Sequence, residues 1–275
     1  MTLIADAGGT NTTWCINKNK YETSGINPFQ QDEKSIREIV ENLKENLLKK
    51  EELDNIDKIR FYGAGCTPEK SVVVKKAISE AFGDRIADID VQSDLLGAAI
   101  GLCGNEKGVA CILGTGSNSC LYDGEKIVQQ TPALGYVLGD EGSGAVLGRM
   151  FLNAMLKGRL DKCISDAFFE EYKMTQADII ERVYRQPLAN RFLASLTVFV
   201  GSKRDNAGVL ALIKENLANF LDNNVKPYDC KLLNFTGSIA YHFAEILRIV
   251  AAEKGYEIGK ITQSPVEGLI EYYGK

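Results

Sequence analysis

The chain has 275 residues, 45 % of them hydrophobic, enough to bury one large core or two lobes of ordinary size. Acidic residues outnumber Lys plus Arg by 37 to 32, for a net charge of −5, and no long basic stripe is present, which argues against a nucleic-acid partner. Seven scattered cysteines without a Cys-x-x-Cys pair suit reduced thiols in a cytosol, and a single histidine, His242, leaves a His-dependent catalytic triad poorly supplied.

The opening Met1-Thr2-Leu3-Ile4-Ala5-Asp6 reads as a first strand, because a basic leader is missing and Asp6 interrupts the apolar run. No segment reaches the length of a membrane span, so neither membrane nor nucleic acid is expected as a partner. Thr2–Ala7 is a strand, Gly8-Gly9 a turn, and residues 12–17 and 21–25 extend a meander. Residues 35–50 place Ile36, Ile39, Val40, Leu43, Leu47 and Leu48 at helical spacing. A strand at 59–62, a helix over Pro68–Phe82, a strand at 86–91 and a helix at 94–102 capped by Ser93 follow.

A second glycine-rich unit repeats this plan. Residues 109–113 form a buried strand, Gly114-Thr115-Gly116-Ser117 a turn, and 119–122 the returning strand, closed by an Asp123-Gly124 hairpin. The parallel between 6–13 and 113–120 points to an internally duplicated fold. From Ser143 the chain is mostly helical, including 207–221. A last strand, Leu232–Thr236, enters Gly237-Ser238 and a helix over 239–253, and a terminal helix spans 265–272. The reading places lobes at 1–106 and 107–261, with the helix of about 262–275 returning to the first. The second lobe is the helix-rich one.

A glycine turn between hairpin strands bares backbone amides that suit phosphate oxygens. Neither turn is a P-loop or a dinucleotide fingerprint, since the Lys-Ser/Thr ending is missing and each turn leads into a strand. Three elements occur in order: Asp6-Ala7-Gly8-Gly9-Thr10-Asn11-Thr12, Leu113-Gly114-Thr115-Gly116-Ser117-Asn118 and Phe235-Thr236-Gly237-Ser238-Ile239. With Leu134-Gly135-Tyr136-Val137-Leu138-Gly139-Asp140-Glu141-Gly142-Ser143-Gly144, the chain resembles the N-acetylglucosamine kinase-like branch, grouped with BadF/BadG-type ATPases, of the sugar kinase, heat-shock protein and actin superfamily. The likeness covers essentially the whole chain. It departs at Ala7-Gly8-Gly9 and Asn11, where the branch usually shows three glycines and a Lys.

The resemblance implies an α/β, two-lobed ribonuclease H-like (actin-like ATPase) fold with duplicated mixed sheets and an ATP cleft. It implies transfer of the γ-phosphoryl of ATP, with Mg²⁺, to a hydroxyl of N-acetylglucosamine or a related amino sugar, in the cytosol and as a homodimer. Asp6 would hold the metal through water, or else cap a turn. Gly8, Gly9, Thr10, Thr12, Thr115 and Gly116 would face the phosphates, with Ala207, Gly237 and Ser238 on the adenosine side. Asp94 would be the general base, although an acid there also suits a helix start. Asn27, Ser117, Asn118, Gly135 and Asp140 would contact the sugar, while Glu141 would order its loop or a metal-bound water. His242 and the loop residue Cys66 read as structural. An activator of a radical dehydratase would need paired cysteines for an iron–sulfur cluster, and these are scattered. A sugar-responsive ATP-binding module without catalysis is the other alternative. The Cys/His zinc cluster of ROK kinases is missing, and the chain is shorter than the glycerol and xylulose kinases.

Overall fold

The computed structural model describes residues 1–83 and 85–274. The chain divides into two compact units, one of Met1–Lys107, Tyr122–Ile127 and the chain from Ser264 onward, the other of Gly108–Leu121 and Val128–Gln263.

The first unit is built on β1 (Thr2–Ala7), β2 (Asn11–Ile16), β3 (Asn19–Ser24), β4 (Lys58–Gly63) and β5 (Asp88–Ser93), ordered β3-β2-β1-β4-β5. The β1–β2–β3 meander is antiparallel, whereas β4 and β5 run parallel to β1. Its helices so far are α1 (Glu33–Asn42), α2 (Lys50–Asn55), α3 (Pro68–Phe82) and α4 (Asp94–Cys103). Thr67 caps α3 ahead of Pro68, and Ser93 Oγ caps α4 by accepting from the Leu96 amide at 3.3 Å. The predicted helix at 35–50 is not continuous. After α1 the ladder widens to a π-helical turn, Leu43–Leu47, and the Leu48 amide bonds the Leu43 carbonyl. That step lets Leu43 and Leu48 both reach the core around Trp14 and Phe61.

The second unit repeats the arrangement. Its strands are β6 (Gly108–Leu113), β7 (Ser117–Tyr122), β8 (Ile127–Gln130), β9 (Leu232–Thr236) and β10 (Glu257–Thr262), ordered β10-β9-β6-β7-β8. In sequence rank this is the order of the first sheet, so β6 corresponds to β1. Between β8 and β9 lie α5 (Gly135–Leu138), α6 (Gly144–Leu156), α7 (Lys162–Tyr172), α8 (Gln176–Tyr184), α9 (Ala189–Ser195), α10 (Thr197–Ser202) and α11 (Ala207–Phe220), the last continuing into a π-helical turn, Leu221–Val225. They close over a core in which Phe151, Phe168 and Phe199 pack with ring centroids 5.4 to 5.7 Å apart. The single helix expected at 239–253 breaks at Phe243 into α12 (Ser238–His242) and α13 (Ala244–Glu253), because Phe243 leaves helical geometry and buries its ring. The strand β10 is an addition to the predicted elements.

The chain ends in α14 (Val266–Tyr273), which packs on α4 in the first unit. The two helices touch at glycines: a Cβ on Gly268 would lie 1.8 Å from the Gly101 carbonyl oxygen. We expect Gly268→Ala to cost about 3 kcal/mol of unfolding free energy, read by urea melts, since backbone rather than a pliable side chain blocks the methyl. An unchanged midpoint would contradict so close a crossing.

Candidate active site

In the first unit the site begins where β1 ends. Gly8 donates to the Asn11 carbonyl at 2.9 Å, closing the hairpin, and Gly25 backs the loop so closely that a Cβ there would lie 2.7 Å from Gly8, Gly9 and Thr10 backbone. Thr10 is exposed at the tip. Thr12 is fully buried, and its hydroxyl accepts from the Ile26 amide at 3.2 Å. The Gly8 amide and the Thr12 hydroxyl thus both take part in shaping the loop.

Asp6 stands at the root of this turn, paired in register with Thr13 and Tyr62, and its Oδ2 accepts from Ser264 Oγ at 3.0 Å. Burial pushes its carboxyl up to about 6, the Ser264 bond opposes this, and the charges of Asp94, Glu22 and Glu267 add to it. Asp94 opens α4, with Oδ1 accepting from the Leu95 amide at 2.9 Å. Burial also raises its carboxyl above the ordinary range, against the Leu95 amide and its own. Asn27 holds a turn, its Oδ1 accepting from the Phe29 amide at 2.9 Å, and presses on Gly65, where a Cβ would lie 2.5 Å from that oxygen. Cys66 is buried, and burial with the Asp94 charge pushes it up to about 12. It is an unreactive thiol.

In the second unit the corresponding turn closes the same way, Gly114 donating to the Gly116 carbonyl at 2.9 Å. The Gly114 and Thr115 carbonyls accept from Gly144 and Ala145, the first residues of α6. Gly237 has φ +109 and presses on the turn: a Cβ would lie 2.4 Å from the Leu113 carbonyl oxygen. The second and third glycine elements are thus in contact. Asp140, at φ +56, lies against Gly116, where a Cβ would approach its Oδ2 to 2.9 Å. Burial raises the Asp140 carboxyl, the Ser117 and Gly135 amides lower it, and Glu141 raises it further. Ser117 Oγ donates to the Glu141 carbonyl at 2.8 Å, and Asn118 Oδ1 accepts from the Ser119 amide at 2.9 Å, so both shape the turn. Ser238 opens α12 beside Gly237. Ala207 opens α11 behind the cap Asn206, whose Nδ2 bonds Asp161.

A solved structure from Porphyromonas gingivalis, of an inferred N-acetylglucosamine kinase, superposes with a TM-score of 0.94 at 45 % sequence identity, over 99 % of this chain and 98 % of that one. The chain belongs to the N-acetylglucosamine kinase-like family of sugar kinases. Two more distant structures share the fold. An inferred N-acetylglucosamine kinase of Chromobacterium violaceum aligns over 98 % of both chains, with a TM-score of 0.71 and 18 % identity. A ROK-family glucokinase of Streptomyces griseus, in complex with glucose and AMPPNP, aligns over 98 % of this chain and 97 % of that one, with a TM-score of 0.58 and 12 % identity. No protein-family profile and no curated protein sequence matches the chain.

A divalent metal beside the nucleotide is what the resemblance implies, and in the first unit Asp6 offers a carboxylate that would hold one. The Asp94 charge adds to the raised proton affinity of the Asp6 carboxyl, which a bound cation would offset. Among the described residues no three acidic, His or Cys side chains gather to cage an ion. Three residues of the kinase fold escaped the sequence reading, Asn216, Asn223 and Asn224. Their only signal is a cluster of amide side chains in the second half of α11 and the turn that continues it.

Proposed function

We propose that this sugar kinase moves the γ-phosphoryl group of ATP to a hydroxyl, the 6-hydroxyl, of N-acetylglucosamine or a close amino sugar. The reading is carried by one repeated device: β1 and β6 hold equivalent places in two sheets of the same order, and each runs out into a glycine turn closed by its first amide. Such turns suit phosphate oxygens without a P-loop. Gly8, Gly9, Thr10 and Thr12 form the first phosphate loop and Thr115 with Gly116 the second. Gly237, Ser238 and Ala207 serve the nucleoside. Asp6 would hold Mg²⁺, which supplies charge neutralisation at the transferring phosphate. Asp94 orients the acceptor hydroxyl and takes its proton, a task helped by a carboxyl whose affinity for protons burial has raised. Asn27, Ser117, Asn118, Gly135 and Asp140 hold the sugar. Seven scattered cysteines without a Cys-x-x-Cys pair suit a reducing compartment, and the family likeness implies a homodimer in the cytosol.

The test is ADP release over a panel of N-acetylglucosamine, N-acetylmannosamine, N-acetylmuramic acid and glucosamine, with phosphorus NMR locating the new ester. The first sugar should give the highest kcat/KM; no sugar-dependent ADP from any of them would end the proposal. Within it, Asp140→Asn should raise the sugar KM by roughly 10- to 100-fold, the worth of charged hydrogen bonds to hydroxyls, with little change in the KM for ATP. Equal increases for both substrates would instead mean a collapsed loop.

A further inference from the structure

Asp140 and Glu141 are adjacent acids in one turn, and the structure treats them differently. The Asp140 carboxylate lies against the second glycine turn, whereas Glu141 points back into α11 and its π-helical continuation. Glu141 Oε1 accepts from Asn223 Nδ2 at 3.3 Å and Oε2 from Asn224 Nδ2 at 3.1 Å. Consecutive side chains of a regular α-helix diverge, so one carboxylate does not ordinarily collect both. These two lie in the π-helical turn, where the ladder is widened.

That turn is itself anchored. The Asn224 carbonyl accepts from Ser119 Oγ at 2.8 Å and from Thr131 Oγ1 at 2.9 Å. Two turns earlier on the same helix, Asn216 is fully buried; its Oδ1 accepts from the Gly142 amide at 2.9 Å and its Nδ2 donates to the Ser143 carbonyl at 3.2 Å. One helix therefore grips residues 141, 142 and 143 through three asparagines. Asp140, immediately before them, sits in the left-handed region, which a non-glycine residue keeps only where its surroundings hold it there.

We infer that Glu141 is a positioning residue, clamped by Asn223 and Asn224 so that Asp140 is held in its left-handed conformation with its carboxylate at the sugar, and that it takes no part in proton transfer or metal binding. This rests on the reading of Asp140 as a sugar ligand. It also assigns a use to the π-helical turn, which is to deliver two amides to one carboxylate.

Two measurements test it. Amide hydrogen exchange across residues 139–143 reads the clamp without any ligand: in the Asn223→Ala/Asn224→Ala double variant, exchange there should quicken by roughly tenfold or more while the sheet stays protected. Unchanged protection of that segment overturns the inference. Steady-state kinetics read its purpose: Glu141→Gln, which keeps the shape but can accept on one oxygen only, should raise the sugar KM roughly tenfold with kcat and the KM for ATP nearly unchanged. A large fall in kcat at an unaltered sugar KM would place Glu141 in the chemistry and overturn the inference. Should exchange quicken as expected while Asp140→Asn leaves the sugar KM untouched, the clamp stands and the sugar-binding reading of Asp140 falls.

Discussion

Asp94→Asn should lower kcat about a thousandfold while ATP still binds within a few-fold of the parent affinity. The magnitude is that of a general base removed from a proton transfer. The amide keeps an oxygen to accept from the Leu95 N–H, so the start of α4 survives the change. Isothermal titration with a non-hydrolysable ATP analogue and rapid-quench turnover with N-acetylglucosamine separate the two effects. Undiminished turnover would remove Asp94 from the reaction. The pH profile carries the same information: because burial raises this carboxyl, the acid limb of kcat/KM in the parent should lie above pH 4, where an ordinary aspartate titrates. Activity should grow as pH rises through that limb, since the base acts only when deprotonated.

Asp6→Asn should do two opposite things, weaken catalysis and strengthen the fold. Its carboxyl titrates at about 6 against 3.8 for an ordinary aspartate, so folding binds its proton more tightly. The group's contribution is therefore fully present below about pH 4 and is lost as pH climbs through 6. At pH 8 the native state carries a poorly compensated buried charge. Removing it should stabilise the metal-free protein by on the order of 2 kcal/mol, somewhat under the conversion of the whole shift because the side chain is partly exposed. Near pH 4 the gain should vanish. Urea melts at the two pH values read this directly, and an equal effect at both would refute the charge argument. Saturating Mg·ATP should narrow the gap at pH 8, because a bound cation supplies what the parent lacks. Since the Asp94 charge adds to the cost at Asp6, the double variant should gain less than the sum of the two single changes. That catalytic carboxylates are kept at a cost in stability is a familiar trade.

Much of this architecture was legible beforehand, for local reasons. Pro68 and Ser93-Asp94 announce helix starts, because proline suits a first helical turn and a serine hydroxyl satisfies exposed amides, and α3 and α4 begin there. The strand–glycine–strand plan, met twice, foretold the duplicated sheets. Where the reading missed, long-range pairing overrode local preference. Residues 257–262 look polar and contain Gly259, yet they form β10 because β9 offers an open edge and the absent Cβ at Gly259 leaves space for Asn234 Oδ1.

The sequence by itself determined the kinds of residue available for chemistry, namely carboxylates at strand and helix ends and glycine turns able to face phosphates, since these follow from neighbours in the chain. Only the tertiary structure decided their state. Asp6 takes its hydrogen bond from Ser264 at the far end of the chain, and Glu141 its amides from Asn223 and Asn224, so proton affinity and orientation are set by groups that no local pattern brings together. Burial and reach are properties of packing, and packing is where a run of residues becomes a site.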